Sequence, residues 1–239
     1  MTGIMYPQDP LILADRIASR IHPKRSQFDY IILKDLSTTI ARYAEKIYGT
    51  VLDYGCGLKP YVELFFRVKE YIGADFSNNP RADIHFDDMG RIPYTAGNCD
   101  TVVSFQVLEH VPDVDVYLSE CRRLLQRNKG MLLLTTHGIW EYHPGPGDFL
   151  RWTHEGLIYT INRFGFRQCA IEPITTGIRS LFQIVLARVE RKATLSRKYK
   201  IFLYRGVNVL ADRLKRSQKN EERFYDFPIC YLYLGKLEL

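Results

Sequence analysis

The chain has 239 residues, of which 46% are apolar, and a formal net charge of +6. A chain of this length can bury one hydrophobic core with a small appendage, so we expect a single domain over residues 1–239. Its five cysteines are an odd number without C-x-x-C spacing, which argues against a disulfide framework or a zinc site and favours a reducing, cytoplasmic compartment.

Residues 1–48 are predicted to form leading helices. We expect neither a secretion signal nor a transmembrane segment, because the first residues lack a basic and then apolar region and no later apolar run reaches about eighteen residues. From Ser26 to Ile47 apolar residues recur at helical spacing, which predicts a helix whose apolar stripe packs on a sheet. Four charged residues fall on its other face and are expected in water: Lys34, Asp35, Arg42 and Lys46.

The segment TVLDYGCGLKP, Thr50–Pro60, has the pattern of a buried strand that ends in a carboxylate and a glycine turn. Gly55 and Gly57 permit backbone angles that other residues resist, and we predict a helix over Tyr61–Val68 after the turn. Ligands of open α/β sheets bind at the carboxyl ends of the strands. This turn is therefore the first candidate for the floor of a cofactor site.

Asp53 precedes the two glycines and indicates the charge of the ligand. A carboxylate there would repel a pyrophosphate across low-dielectric protein and attract a cation. A dinucleotide fingerprint would also need a third glycine, but Leu58, Lys59 and Pro60 follow here instead. S-adenosylmethionine (SAM) carries an ammonium and a sulfonium and no phosphate, so Asp53 favours SAM over NAD.

Two further acids follow predicted strands. Asp75 ends the run YIGAD, eighteen residues after Gly57, where a nucleotide-binding α/β unit places the acceptor for its ribose diol. Asp88 ends the alternating run Ala82–Asp88, with the Met89 amide beside it, and is a candidate acceptor for an adenine amine. Each acid alone is more often a solvated loop residue, but three acids after successive strands favour a bound nucleoside.

Two near-continuous apolar runs, Asp100–Gln106 and Met131–Thr136, predict the fourth and fifth strands of a parallel sheet that is buried on both faces. A helix that begins at Pro112 and ends near Gly130 should join them. Glu109 and His110 follow the fourth strand, close to where a substrate would enter. A purely structural role in holding that loop is an equal alternative.

The segment HGIWEYHPGPGDFLRWTHEGL, His137–Leu157, follows the fifth strand and should overhang the active site. Its rings and charges suit a polar, ring-shaped substrate. The candidate substrate contacts are Tyr142, His143, Arg151 and Trp152.

A structural interpretation of the same segment stays open. Thr153 is a natural cap for a helix that runs to about Phe164, and Asp148 with Arg151 forms an ion pair that pins the loop in this interpretation. We predict no bound metal, although His137, Glu141 and His143 could supply ligands, because such triplets on one loop are common by chance.

Phe166–Ile171 and Ile229–Leu239 predict the sixth and seventh strands, and residues 178–226 between them a basic helical insertion. From Arg188 to Lys219 there are eleven Lys or Arg residues against two acids, a local charge of +9, interleaved with apolar residues at helical spacing. Such helices suit an anionic membrane surface or an anionic substrate. A solvated cap over the domain is an equal alternative.

Five motifs carry a resemblance to a known family: LDYGCG, YIGADFS, DDMGRIPY, CDTVVSFQVLEHV, and ECRRLL followed by NKGMLLLTT. Over residues 47–166 their order and spacing resemble class I SAM-dependent methyltransferases, in particular the type 11-like group that acts on small molecules and glycans. The resemblance implies a Rossmann-like α/β fold. Its seven-stranded sheet is mostly parallel, with an antiparallel last strand, flanking helices and a helical insertion before that strand.

The resemblance also implies roles for individual residues. The loop at the methionine end of SAM corresponds to Asp53, Gly55 and Gly57, the ribose acid to Asp75, the adenine contacts to Asp88 and Met89, and a residue lining the methionine to Gln106. The chain departs from the commonest pattern at GCGLKPY, where a further glycine often follows. The loop after the fifth strand is similar to those of methyltransferases encoded near polysaccharide and cell-envelope genes, which implies a glycan or lipid-linked saccharide acceptor.

The resulting hypothesis is transfer of a methyl group from SAM to a hydroxyl or amine of a small-molecule acceptor, with His137 as the first choice of general base and His110 as the second. Methylation of RNA is an alternative, disfavoured because the insertion lacks exposed stacking aromatics. A non-catalytic SAM-binding partner subunit is another. We expect a cytoplasmic protein with peripheral contact to the inner membrane surface and without a nucleic-acid partner.

Overall fold

The computed structural model describes residues 9–87, 89–94, 99–126, 129–217 and 226–238. They form a seven-stranded sheet in the order β3-β2-β1-β4-β5-β7-β6, in which β7 runs antiparallel to both of its neighbours and all other pairs are parallel. The predicted fold class is therefore confirmed. The strands are β1 (Gly49–Tyr54), β2 (Val68–Asp75), β3 (Ile84–His85), β4 (Thr101–Phe105), β5 (Met131–His137), β6 (Phe166–Ile174) and β7 (Cys230–Leu237).

Six α-helices occur in the described part of the chain, and side-chain caps at their starts explain where two of them begin. Asp113 Oδ1 accepts the Val116 N–H at 3.0 Å, and Thr153 Oγ1 accepts the Gly156 N–H at 3.1 Å, as the sequence predicted for Thr153. The helices are α1 (Pro10–Ile21), α2 (Tyr30–Ala44), α3 (Val114–Leu125), α4 (His154–Asn162), α5 (Gly177–Lys192) and α6 (Arg197–Ser217).

The sheet is covered on both faces. Leu118 and Leu124 of α3 and Leu157 of α4 are buried in one apolar cluster, while Leu36 and Ile40 of α2 are buried in another. This two-sided cover explains why the central strands are near-continuous apolar runs. It leaves the carboxyl ends of β1, β2, β4 and β5 on a common edge, which is where ligands of open α/β sheets bind.

The prediction of a helix over Tyr61–Val68 is wrong. The segment contains a single 3₁₀ turn, Val62–Leu64, and β2 already begins at Val68, which pairs with Gly49. Because β2 pairs along the whole of β1, little chain is left for a helix after the glycine turn. One turn is enough to bury Tyr61 and Phe65, while Phe66, the third aromatic residue of the segment, is 73% exposed.

Asp35 is a second correction, since we expected it in water and it is only 3% exposed. Its carboxylate accepts hydrogen bonds from Arg179 of α5 at 2.5 Å, from Lys215 of α6 at 2.5 Å and from Thr175 at 2.8 Å. The insertion helices pack against the polar side of α2 and bury it. The sequence pattern of α2 alone could not reveal this, because the partners lie more than a hundred residues away.

A second carboxylate also joins the insertion to the leading segment. Asp212 of α6 accepts hydrogen bonds from Arg25 at 2.5 Å, from Lys34 at 2.8 Å and from the Tyr30 hydroxyl at 2.9 Å. Ion pairs therefore attach α6 to the N-terminal helices at two places. Among the described residues, no helix combines the length and the apolar character that crossing a membrane requires.

Candidate active site

The glycine turn is tied to the end of β2 by backbone hydrogen bonds. The N–H groups of Gly55 and Cys56 both donate to the Ala74 carbonyl, at 2.9 and 3.1 Å. The Gly57 N–H donates to Asp75 Oδ2 at 2.7 Å. The structure thus brings Gly55, Gly57 and Asp75, which were singled out from the sequence, into one site.

The two glycines differ in what surrounds them. Both have positive φ, +78° at Gly55 and +52° at Gly57. A Cβ at Gly55 would lie 2.6 Å from Val107 Cγ2, whereas a Cβ at Gly57 would meet no atom of the described residues within 4 Å. Gly55 is therefore required by packing within the protein, while Gly57 faces open space that a ligand could occupy.

Asp75 is 3% exposed, and donors from its own loop orient it. The Phe76 N–H donates to Oδ1 at 2.8 Å, and the Asn79 side-chain amide donates to Oδ2 at 2.7 Å. Asn79 is fully buried and also donates to the Gly57 carbonyl at 2.7 Å. We did not single out Asn79 from the sequence, although its position four residues after the strand-end acid was the available signal.

Asp53 is 3% exposed and lies in β1 opposite Gly73 of β2. The Tyr71 hydroxyl donates to its Oδ2 at 2.7 Å. Burial, with a contribution from the Asp75 charge, raises the pKa of Asp53 to about 7. The carboxyl group is therefore close to half-ionised at neutral pH, and a bound cation would favour loss of its proton. This refines the sequence argument, which treated Asp53 as a permanent anion.

The predicted adenine contacts are only partly described. Asp88 lies outside the described residues. Met89 is 61% exposed, and its N–H donates to Asp87 Oδ1 at 2.9 Å, so that amide already serves the loop. Phe76, which sequence reasoning missed, follows the ribose candidate directly, is 39% exposed and contacts Phe86 edge-on with ring centroids 4.7 Å apart. Its ring is a candidate stacking surface for a base.

Gln106, at the end of β4, has a left-handed backbone with φ of 59°. A non-glycine residue in this region costs about 1–3 kcal/mol, and such residues cluster at functional sites. Its side-chain amide donates to Thr135 Oγ1 at 3.1 Å, and Cys230 Sγ lies 3.4 Å from Oε1. These contacts hold Gln106 at the strand-end edge that β4 shares with β1.

The loop after β5, residues 138–152, returns across the end of β4 and is pinned at two points. The Phe149 and Leu150 N–H groups donate to the Glu109 carbonyl at 2.9 and 3.2 Å. The Trp152 N–H donates to the His137 carbonyl at 2.9 Å. We call residues 138–152 the acceptor loop.

Arg151 mainly holds the acceptor loop together. Its guanidinium binds both oxygens of Asp148, at 2.5 and 2.9 Å, and donates to the Trp140 carbonyl at 3.3 Å. The Arg151 contact lowers the pKa of Asp148 to about 2. These contacts support the structural interpretation for Arg151. Trp152 is partly buried against the core, which makes it a packing residue in this arrangement.

Tyr142 is the most open of the predicted substrate contacts, at 70% exposure. With Trp140, Phe149 and the Asp148–Arg151 pair it lines a shallow cavity of about 320 Å³. This cavity offers aromatic faces beside hydrogen-bonding groups.

His137 is enclosed, with 6% exposure. Its Nδ1 lies 3.3 Å from Cys230 Sγ, its Nε2 lies 3.4 Å from Glu109 Oε1, and its ring stacks on Trp140. Burial lowers the pKa of His137 to about 3, so the ring is neutral. In this arrangement both ring nitrogens face protein atoms, which weakens the expectation that His137 is the general base.

His110 and His143 lie next to this group. Their rings are edge-on to each other, with centroids 4.8 Å apart. Burial lowers the pKa of each imidazole, and both are less enclosed than His137. His110 is thus the more accessible of the two histidines that the sequence indicated as bases.

The fold and the strand-end site are those of a nucleoside-binding α/β enzyme, and a family model described as a methyltransferase domain matches residues 13–171. The chain therefore belongs to the methyltransferase-domain family. The match covers the strand-end acids and the first part of β6, and it ends before the insertion helices.

Relatives of known sequence or structure are consistent with this membership. A protein of Mycolicibacterium smegmatis described as a probable S-adenosylmethionine-dependent methyltransferase is 33% identical over 105 residues, which are 40% of this chain and 40% of that protein. A Haemonchus contortus phosphoethanolamine N-methyltransferase, solved with S-adenosylhomocysteine, has a TM-score of 0.53 at 15% identity and covers 93% of this chain and 59% of its own.

A SAM-dependent methyltransferase from Archaeoglobus fulgidus has a TM-score of 0.52 at 17% identity, over 95% of this chain and all of its own. At these identities the solved structures establish a shared fold.

Proposed function

We propose that this protein transfers a methyl group from SAM to a small-molecule acceptor. The observation that carries the proposal is the arrangement at the ends of β1 and β2, where the buried carboxyl groups of Asp53 and Asp75 occur with a glycine turn in which Gly57 faces open space. When bound, SAM supplies a methyl group on a positively charged sulfur, which a nucleophile can displace in line. The enzyme's main task is then alignment, which can contribute about 7–11 kcal/mol.

Each residue at this edge has a separate task in the proposal. Asp75, oriented by Asn79, accepts the ribose hydroxyls, and Phe76 stacks on the base. Asp53 compensates the positive methionine end after it loses its proton. Gln106 holds the methionine from the β4 side. A pyrophosphate would instead lie against two carboxyl groups, which disfavours a dinucleotide.

The acceptor is proposed to be a saccharide or lipid-linked glycan that is methylated on a hydroxyl or amine. The support is the cavity of about 320 Å³ lined by Trp140, Tyr142 and Phe149, since flat apolar rings suit the faces of sugar rings. The Asp148–Arg151 pair in the same cavity offers polar partners for hydroxyls. For a hydroxyl acceptor, His110 with His143 is the proposed activating group, and enclosed His137 positions its neighbours.

Contact with an anionic membrane surface is part of the proposal, because a lipid-linked acceptor would lie there. Exposed apolar residues occur on both insertion helices, with Val185 of α5 at 57% exposure and Phe202 of α6 at 80%. Exposed bases, including Arg188 and Arg205, share these helix faces at helical spacing. Apolar residues beside bases fit a negatively charged lipid interface.

Cosedimentation with vesicles tests the membrane contact. We expect more protein to bind to phosphatidylcholine vesicles that contain about one third phosphatidylglycerol than to pure phosphatidylcholine vesicles. Binding to the anionic vesicles should be lost at high salt. Phe202→Ser should reduce binding, while Leu11→Ser, an exposed apolar control on α1, should not. Equal binding to neutral vesicles, or an effect of both variants alike, would reject this surface.

Methyl-labelled SAM tests the activity. The full chain is incubated with a lipid-linked saccharide extract, with total RNA, or with no acceptor. Label in saccharide supports the proposal, and label in RNA supports the alternative that we disfavoured. SAM binding without transfer to either supports a non-catalytic binding subunit.

A further inference from the structure

Glu109 has a buried carboxylate oxygen that forms no hydrogen bond within the described part of the chain. The residue is 0% exposed, and its Oε2 accepts the Thr136 hydroxyl at 2.9 Å. Its Oε1 is enclosed and has no hydrogen-bond partner among the residues that the structure describes. His137 Nε2 lies 3.4 Å away, but the neutral ring is outside hydrogen-bond geometry. A carboxylate oxygen in this situation is costly unless a cation or a proton compensates it.

Two histidines near this oxygen are oriented as metal ligands usually are. His110 Nδ1 contacts the Gly147 carbonyl, and His143 Nδ1 lies 3.3 Å from the Glu141 carbonyl. A carbonyl can only accept, so each Nδ1 carries the hydrogen and each Nε2 keeps its lone pair. Metal-binding histidines commonly donate their second ring N–H to a carbonyl or carboxylate in this way.

The three side chains converge on one point. One ring nitrogen from each of His110 and His143 and one carboxylate oxygen of Glu109 all lie within 4.8 Å of one another. Four-coordinate zinc has bonds of about 2.0–2.2 Å to nitrogen and oxygen, so small side-chain rotations would bring the donors to its ligand spacing. Two imidazoles with one carboxylate, leaving a position open, is the ligand set of many catalytic zinc sites.

We propose that Glu109, His110 and His143 bind one divalent transition-metal ion of the zinc type. The sequence led us to predict no metal, and it offered a different triplet that shares only His143 with this one. The 3₁₀ turn Leu108–His110, after β4, supplies two of the ligands and the acceptor loop supplies the third. An ion there would compensate the Glu109 charge. With the ion bound, His110 and His143 would be ligands instead of proton acceptors, and the ion's open position could bind an acceptor oxygen and lower the pKa of its hydroxyl.

A proton shared between Glu109 and His137 is the competing explanation for the orphaned oxygen, so the test must separate the two. The untagged full chain, with Cys169→Ser to remove its exposed thiol, is stripped with a chelator and titrated with Co²⁺ and Zn²⁺. We expect one equivalent to bind, a visible Co²⁺ absorption typical of four or five coordination, and displacement of Co²⁺ by Zn²⁺.

Variants assign the ligands. His143→Ala, which removes a half-buried side chain, should weaken Co²⁺ binding at least about 100-fold. Loss of a metal ligand should weaken binding more than loss of a residue that only supports a ligand. His22→Gln is the matched control at an exposed histidine and should change nothing. Glu109→Gln should also abolish the Co²⁺ spectrum, and a melting curve for each variant shows that it folds.

Absence of stoichiometric Co²⁺ binding in the parent chain would overturn the proposal, as would binding that survives both His143→Ala and Glu109→Gln. These readouts do not involve methyl transfer. If the chain binds metal but transfers no methyl group, the metal site stands and the proposed activity is rejected. If it transfers a methyl group but binds no metal, the proposed activity stands and the metal site is rejected.

Discussion

The two sides of the candidate active site are held together by different kinds of contact. On the cofactor side, Asp75 is bound by the Gly57 amide and by Asn79, all within a short stretch of chain and largely through the backbone. On the acceptor side, Glu109 meets Thr136, and His137 meets Cys230, across long sequence separations. The difference teaches that the geometry at the strand ends is encoded locally and can be predicted from sequence, whereas the geometry around Glu109 and His137 depends on tertiary packing.

A pair of glycine substitutions gives the largest expected contrast within the cofactor side. Gly55→Ala should destabilise the fold by about 2–5 kcal/mol, because its Cβ would lie 2.6 Å from Val107 and the backbone is left-handed. Gly57→Ala has no such clash and should cost only about 1–2 kcal/mol of left-handed strain. Chemical denaturation measures both.

Gly57 matters less than Gly55 for stability, but we expect it to matter for SAM affinity. If its open side is the ligand space, Gly57→Ala should weaken SAM binding in calorimetry even though the protein remains folded. Equal stability losses in the two variants, or normal SAM affinity in Gly57→Ala, would remove the distinction between a packing glycine and a ligand-facing one.

Asp75→Asn is expected to have the next largest effect. Hydrogen bonds to a charged group contribute about 1.5–3 kcal/mol, so the variant should bind SAM about 10- to 100-fold more weakly. Asp115→Asn, at an exposed position in the first turn of α3, is the matched control and should bind as the parent does. Unchanged affinity in Asp75→Asn would contradict the ribose assignment.

The sequence indicated which residues meet at the ends of β1 and β2 for a physical reason. Strand ends, acids and glycines follow one another at short range in the sequence. The pattern around Asp53 and Asp75 can therefore be recognised without knowledge of the fold. The Thr153 cap was found in the same way. The helix expected after Pro60 failed because the length of β2 depends on its pairing with β1, which local periodicity does not contain.

The environment of Glu109 could not be predicted, since it depends on Thr136, His137 and the returning acceptor loop. Asp35 was misplaced for the same reason, because its partner Arg179 comes from a distant helix. In both cases a charged residue that looks solvent-exposed in a local pattern is buried by a segment far along the chain.

Arg151→Gln tests whether the acceptor side can be disturbed without an effect on the cofactor side. Removing the cation from Asp148 should cost about 1–3 kcal/mol of stability, because a buried charged group loses its partner. The KM for the acceptor should rise while the Kd for SAM stays constant. Arg163→Gln, at an exposed position after α4, serves as control. A parallel loss of SAM affinity would mean that the two sides are not independent.

The smallest expected effect is a pH dependence of SAM affinity. The raised pKa of Asp53, about 7, means that the free protein holds a proton at pH 6 that a cationic ligand must displace. SAM affinity should therefore increase with pH, by up to about tenfold from pH 6 to pH 8. Adenosine, which lacks the cationic groups, should bind without this dependence, and Asp53→Asn should abolish it. A SAM affinity that falls as pH rises would have the wrong sign.

A comparison of SAM binding with NADH binding tests the central claim most directly. Calorimetric titration of the full chain with SAM and, separately, with NADH asks which ligand the strand-end acids accept. We predict a single saturable site for SAM and no binding of NADH at the same concentrations. Saturable NADH binding that Asp75→Asn weakens, with no heat from SAM, would contradict the claim that these carboxylates select a cationic adenosyl donor.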